Sequence, residues 1–220
     1  DSNDIDAIRG LDHLYEVLQQ WQDLADLLHT EIDIAETDEE RLGCYYRLGA
    51  VQEMYLENYE EAISSYNEMH LIVPGQPEAI ESLVRMFDAG HGCAAIAEIL
   101  EAFYRGIEDW EKLVDLDLKY VEYIEDHDAR YDKFIEIADV YLNNLGNIAD
   151  GLAIYGRALV ERPGDDLCLS KIDELSEILQ DWSQNVVYYH NAVEACSDDA
   201  IKQDLMLRMA QTYDVHLADA

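Results

Sequence analysis

The chain has 220 residues, about half of them apolar, and sets 49 acidic side chains against 14 basic ones, for a net charge of −35. That balance disfavours nucleic acid as a partner, because phosphate contacts need a basic footprint, and it disfavours anionic membrane surfaces for the same reason. Three prolines in such a length suit a helical chain, since proline inside a helix costs about 3 kcal/mol.

Along the chain, Ile5, Ile8, Leu11, Leu14, Tyr15 and Leu18 recur at helical spacing over residues 4–19. A second helix opens at Trp21 with Leu24, Leu27, Leu28, Ile32 and Ile34. Thr37 followed three residues on by Glu40 is a capping-box signature, so a third helix is expected over about 38–57. A fourth, about 59–73, stops at Pro74-Gly75. The skeleton then returns 89 residues later without a gap. Leu11, Tyr15, Trp21, Leu24, Asp26, Arg41, Leu56, Asn58, Tyr66, Pro74 and Gly75 meet Leu100, Tyr104, Trp110, Leu113, Asp115, Arg130, Leu145, Asn147, Tyr155, Pro163 and Gly164. A third copy begins near Ile172, with Trp182 in the tryptophan place.

Between the two full copies, residues 76–99 break the period. A helix ending at Asp88-Ala89-Gly90-His91-Gly92 and another over about 93–107 leave three helices, not two, between Pro74 and the helix that begins near Asp128. The alternation of helices is expected to slip there and the superhelix to bend or change radius. Further helices are expected over 110–125, 128–145, 148–161, 166–180, 182–196 and 198–216, twelve in all. The repeat units run 4–36, 38–75, 76–99, 100–125, 128–164, 165–196 and 198–220. Each tryptophan is expected to wedge against the helix before it. Arg41, Arg130 and Lys202, at one repeat position, and Arg47 and Arg208, at another, are expected to pair with acids of an adjacent helix. The four cysteines, widely spaced, read as buried reduced thiols in a reducing compartment, the cytoplasm. The chain starts at Asp1 without a methionine and reads as a section of a longer protein.

The pair ending at Pro74 resembles a tetratricopeptide repeat, the 34-residue helix–turn–helix unit, through Leu48-Gly49, Ala62, Tyr66 and Pro74. The second copy is similar through Ile137-Ala138, Tyr141, Gly151, Tyr155, Ala158 and Pro163. Two departures stand out: one extra residue lies between Gly49 and Ala62, and Met69 takes a small-residue position. The resemblance, to a section of a long bacterial array, implies an all-α, right-handed α-solenoid of antiparallel helix pairs. It also implies a concave face lined by the first helix of each pair. Tyr46, Ala50 and Glu53, with Ile135, Asp139 and Leu142, are the peptide-binding candidates there.

Nothing in the sequence carries enzyme chemistry. H-E-x-x-H, G-x-x-x-x-G-K-[ST] and G-x-S-x-G are all missing, and Asp126-His127-Asp128 reads as helix-cap acids rather than a metal cage. No cofactor or metal is expected. The acidity fits two readings, a strongly solvated surface of a salt-adapted protein or a groove for a basic peptide. The leading expectation is therefore a non-catalytic scaffold that binds a protein or peptide partner. The alternatives are an architectural or self-assembling spacer using the apolar C-terminal helix, and a regulatory arm of an enzyme domain lying outside this stretch.

Overall fold

The computed structural model describes residues 5–217. Twelve α-helices occur among them, and no strand. Contacts divide the chain into two compact units that part between Ile107 and Glu108. The first unit holds α1 (Ile5–Leu18), α2 (Trp21–Ile34), α3 (Asp38–Met54), α4 (Tyr59–Ile72), α5 (Pro77–Asp88) and α6 (Cys93–Gly106). The second holds α7 (Trp110–Tyr120), α8 (His127–Asn143), α9 (Ile148–Glu161), α10 (Asp166–Leu179), α11 (Ser183–Ala195) and α12 (Asp199–Thr212). The helix expected to reach residue 125 ends at Tyr120 and tightens into a 3-10 turn, Val121–Tyr123. The last helix likewise gives way after Thr212 to a π turn, Tyr213–Leu217.

Six helix starts are capped by short polar side chains. Thr37 accepts from the Glu40 amide while the Glu40 carboxylate accepts from the Thr37 amide, the capping box in full. Asp109, Asp126, Asn147, Asp165 and Asp198 cap α7, α8, α9, α10 and α12 in the simpler way, each accepting a backbone N–H of the first turn.

The turn inside a pair has one recurrent geometry. Gln19, Glu57, Glu108 and Gln180 all adopt left-handed backbone, with φ of 56°, 52°, 57° and 54°. Gly146 stands where Glu57 stands in the first copy, at φ 64°. The flanking hydrogen bonds repeat as well. The Leu56 amide donates to the Val51 carbonyl and that of Leu145 to Val140, both at 3.1 Å. The Asn58 and Asn147 amides donate to Gln52 and Tyr141, both at 2.8 Å. The same turn is therefore built with glycine once and with residues that pay a steric cost elsewhere.

Each unit buries a continuous apolar core. Leu24, Leu28, Leu48 and Val51 form one cluster, closed by Tyr15, Trp21, Ile32 and Leu56. Tyr66, Met69, Leu83, Met86, Ile96 and Leu100 continue the core of the first unit. Leu113, Ile137, Leu159, Ile172, Tyr189 and Leu205 line that of the second. Full burial of one such side chain contributes about 1.5–3 kcal/mol. Tyr66 fills the space over Gly49, where an added Cβ would lie 2.6 Å from its ring.

Two features go beyond the sequence reading. Two of the three tryptophans clasp a ring that lies later in the chain. The Trp21 ring stacks on Tyr55 at the end of the following helix, with centroids 3.8 Å apart, and the Trp182 ring stacks on His216 at 3.7 Å. Tyr59 makes the same clasp with His91 at 3.6 Å. Trp21, Trp182, Tyr59 and His91 are half-buried in these joints, while Tyr55 and His216 stay exposed. The second feature concerns the thiols: Cys93, Cys168 and Cys196 are buried, whereas Cys44 is half-buried. Burial first, then the Glu31 carboxylate, pushes the Cys44 thiol up to about 11, and burial pushes Cys168 up to about 12.

Helix α6 shows how context decides a role. Its sequence repeats that of α1, yet it packs on α5 and α4. Leu100 is fully buried there, while its counterpart Leu11 in α1 is 39% exposed.

The strained turn gives a direct test. Glu57→Gly should raise stability to denaturant by about 0.5–1 kcal/mol, and Gly146→Glu should lower it by about as much. Equilibrium urea unfolding of both variants checks the sign.

Candidate functional site

The six residues singled out from sequence fall into two equivalent triplets. Tyr46, Ala50 and Glu53 share one face of α3, and Ile135, Asp139 and Leu142 occupy the matching positions of α8. The triplets belong to different units. Tyr46 is exposed and Ala50 half-buried; Ile135 is half-buried and Asp139 exposed. Asp139 accepts a hydrogen bond from the Asn143 amide group one turn on.

The third position of each triplet faces inward. Glu53 accepts from the Tyr66 hydroxyl at 2.9 Å and binds the Arg85 guanidinium through both oxygens, at 3.2 and 2.7 Å. Burial first, then the Glu53 hydrogen bond, pushes the Tyr66 hydroxyl well above the usual phenol range. Leu142 rests on Gly151 of α9, where an added Cβ would come within 2.7 Å of it. These two side chains hold a first helix to its neighbours, while Tyr46 and Asp139 are open to solvent.

The pairing expected of the arginines takes the form of charged rungs between first helices. Arg47 on α3 reaches back to Asp12 and Glu16 on α1, at 2.6 and 3.0 Å. Arg85 on α5 reaches back to Glu53 on α3. In the second unit Arg208 on α12 reaches Asp173 on α10 at 3.5 Å, and the Tyr189 hydroxyl donates to the same carboxylate at 2.6 Å. Burial first, then the Asp173 hydrogen bond, pushes that hydroxyl up strongly. The pairing expected for Arg47, Arg130 and Arg208 is thus between helices, Arg130 meeting Glu161 of α9 at 2.9 Å. Arg41 differs: it pairs with Asp38 one turn earlier in its own helix. The shared position of Arg47 and Arg208 in the repeat was the available signal for the rungs.

A second cluster surrounds Glu161. His127 Nδ1 lies 2.7 Å and Arg130 2.9 Å from one of its oxygens. Beside it Arg162 lies over the Tyr131 ring, 3.8 Å from its centroid, and binds Asp128 at 2.7 Å. The Tyr131 hydroxyl donates to Asp165, the cap of α10. This arrangement pins α8, α9 and α10 together. Asp126 caps α8, as the cap-acid reading required. Among the described residues no group of three or more His, Cys, Asp or Glu side chains is placed to hold a metal ion. No helix among them is long and apolar enough to cross a membrane.

Because Glu53 accepts from the hydroxyl of buried Tyr66 and also binds Arg85, Glu53→Ala should destabilise the fold by about 2 kcal/mol. Tyr66→Phe in that background should recover much of the loss, since it removes the orphaned hydroxyl. A double-mutant cycle by thermal or urea unfolding reads this coupling.

No protein-family model matches the sequence, and no curated protein matches it. Among solved structures the chain is similar to the TPR2AB-domain:pHSP90 complex of yeast Sti1, with a TM-score of 0.38 at 11% identity, over 96% of this chain and 85% of that one.

Proposed function

We propose that this chain is a non-catalytic protein-interaction scaffold in the cytoplasm, binding a peptide or protein segment of basic character along the first-helix face of its repeats. The tetratricopeptide-like pairs and the seven repeat units read from the sequence belong to the same proposal. One observation carries it. Arg41, Arg47, Arg85, Arg105, Arg130, Arg157, Arg162 and Arg208 each lie within ion-pair distance of a carboxylate of this chain. Most of the described cations are thus already paired within the chain. With 49 acids against 14 bases, most acids have no basic side chain of this chain to pair with. A partner that brings cations relieves that repulsion and gains attraction, and side chains such as Tyr46 add apolar contact.

The test is binding of labelled peptides that interleave Lys or Arg with apolar residues, against acidic peptides of the same length. Binding should weaken about tenfold or more as salt screens the charges. Tyr46→Ala and Asp139→Lys should each weaken it about fivefold or more, with the fold unchanged by circular dichroism. Equal binding of the acidic peptides, or indifference to both substitutions, overturns the reading.

A second reading, self-association through the C-terminal helix, is favoured by exposed apolar side chains on α12 and just beyond: Met206 at 53%, Leu207 at 56% and Val215 at 72%. Sedimentation velocity at rising concentration should then show oligomers that Leu207→Glu abolishes. A monomer at all concentrations sinks it.

A further inference from the structure

Helices α3, α8 and α12 share one register in the repeat. Gly49, Ala138 and Ala210 hold one small-residue place in it, and Tyr45, Phe134 and Met206 hold the place one turn earlier. The third copy also keeps contacts of the first. Arg208 meets Asp173 as Arg47 meets Asp12, and Trp182 stacks on His216 as Trp21 stacks on Tyr55. Helix α12 is therefore built as a second α3.

On α3 and α8 the small-residue face is covered by the helix that follows, α4 on α3 and α9 on α8. Tyr66 of α4 lies over Gly49, Ser65 donates to Gln52, and the Tyr66 hydroxyl donates to Glu53. In the second copy Phe134, Ile137 and Ala138 are at most 2% exposed, and Tyr155 of α9, also buried, holds the Tyr66 place. On α12 the same places are open. Met206 is 53% and Tyr213 54% exposed, and Ala210 is exposed between them. Among the described residues no α-helix follows α12. Asp214, exposed, stands in the Glu53 place, where an incoming hydroxyl would find an acceptor.

The covering helix has a pattern of its own. Helix α4 buries Ala62, Tyr66 and Met69, and α9 buries Gly151, Tyr155 and Ala158 at the same places. The small residue one turn before the tyrosine lets the backbones approach, since a Cβ on Gly151 would come within 2.7 Å of Leu142.

A second copy of the chain does not offer this surface the contact it is shaped for. Helix α1 repeats α10, and α9 covers α10. Ile172 and Leu175 are buried there, while Leu11 and Leu14, in their places on α1, are exposed. So α1 and α12 lack the same kind of cover. In both copies that kind of helix lies between the other two, α4 between α3 and α5 and α9 between α8 and α10. Placing α12 of one molecule on α1 of another would leave it out.

We propose that the face of α12 formed by Met206, Ala210 and Tyr213 is a docking site for one amphipathic helix of a partner protein, with the pattern small-x-x-x-Tyr-x-x-apolar and its tyrosine seated on Ala210. Repeats of this kind bury their faces only against a neighbour, and the partner helix supplies that neighbour.

The test uses the whole chain and a synthetic peptide of residues 147–163, which carries the α9 pattern. Amide-resolved NMR should show saturable shifts at Met206, Ala210 and Tyr213. Tyr155→Ala in the peptide should weaken binding about tenfold or more. Ala210→Arg in the protein should do the same with circular dichroism unchanged, and Met206→Glu serves as the second variant should Ala210→Arg perturb the fold. Leu207→Glu should leave binding unchanged, because Leu207 shares its place with Tyr46, which stays exposed although α4 covers α3. Equal binding of a scrambled peptide, shifts that do not saturate, or indifference to both Ala210→Arg and Met206→Glu overturns the proposal. So does a concentration-dependent shift of the same amides without peptide, which makes a second copy the occupant. Tyr46 and Asp139 lie outside this face, so this result and the first-helix peptide result can fail separately.

Discussion

The fold rests on the burial of one helix face against the next. The helices run from 11 to 17 residues, a length at which an isolated helix in water is marginal. Capping acids and ion pairs help individual helices, yet the net charge of −35 opposes compaction of the whole. What remains is apolar contact between neighbours, with Leu24 and Leu28 on Leu48, or Ile137 and Leu159 in the second copy, all of them at most 1% exposed. Every other feature either sets the angle at which two such faces meet or limits the cost of doing so.

The arginines belong to the second kind. A guanidinium between two first helices replaces a carboxylate–carboxylate repulsion with an attraction, and its planar donors can meet two oxygens at once. Arg85 does this with Glu53, and Arg47 does it with Asp12 and Glu16 together. Such half-exposed pairs contribute modestly one by one. Their position matters more than their strength, since each cation so engaged is already matched to an acid of this chain while staying partly open to solvent. The acid excess that the proposed binding depends on is what remains after that pairing.

Much of the fold was legible because its rules are local. The capping box at Thr37, the Pro-Gly stops and the 89-residue register each depend on residues a few positions apart or on simple repetition. The aromatic clasps were not legible, because Trp21 meets Tyr55 and Trp182 meets His216 through the packing of a later helix. The candidate site divides in the same way. Tyr46 and Asp139 are open, as the repeat resemblance implied. Glu53 and Leu142, on the same helix faces, turn inward because a partner on another helix, Tyr66 with Arg85 or Gly151, claims them.

The turns that close each pair also bear on how quickly the chain reaches its structure. Helix packing within each unit joins elements that are next to one another, or next but one, along the chain. The loops closed during folding are accordingly short, so little entropy is lost before the first contacts form. A hairpin such as α3–α4 or α8–α9 can nucleate on its own left-handed turn and recruit its neighbour, and either unit can begin without the other. The residue at that turn, Glu57 in one copy and Gly146 in the other, therefore acts on the rate of the earliest step as well as on the finished fold.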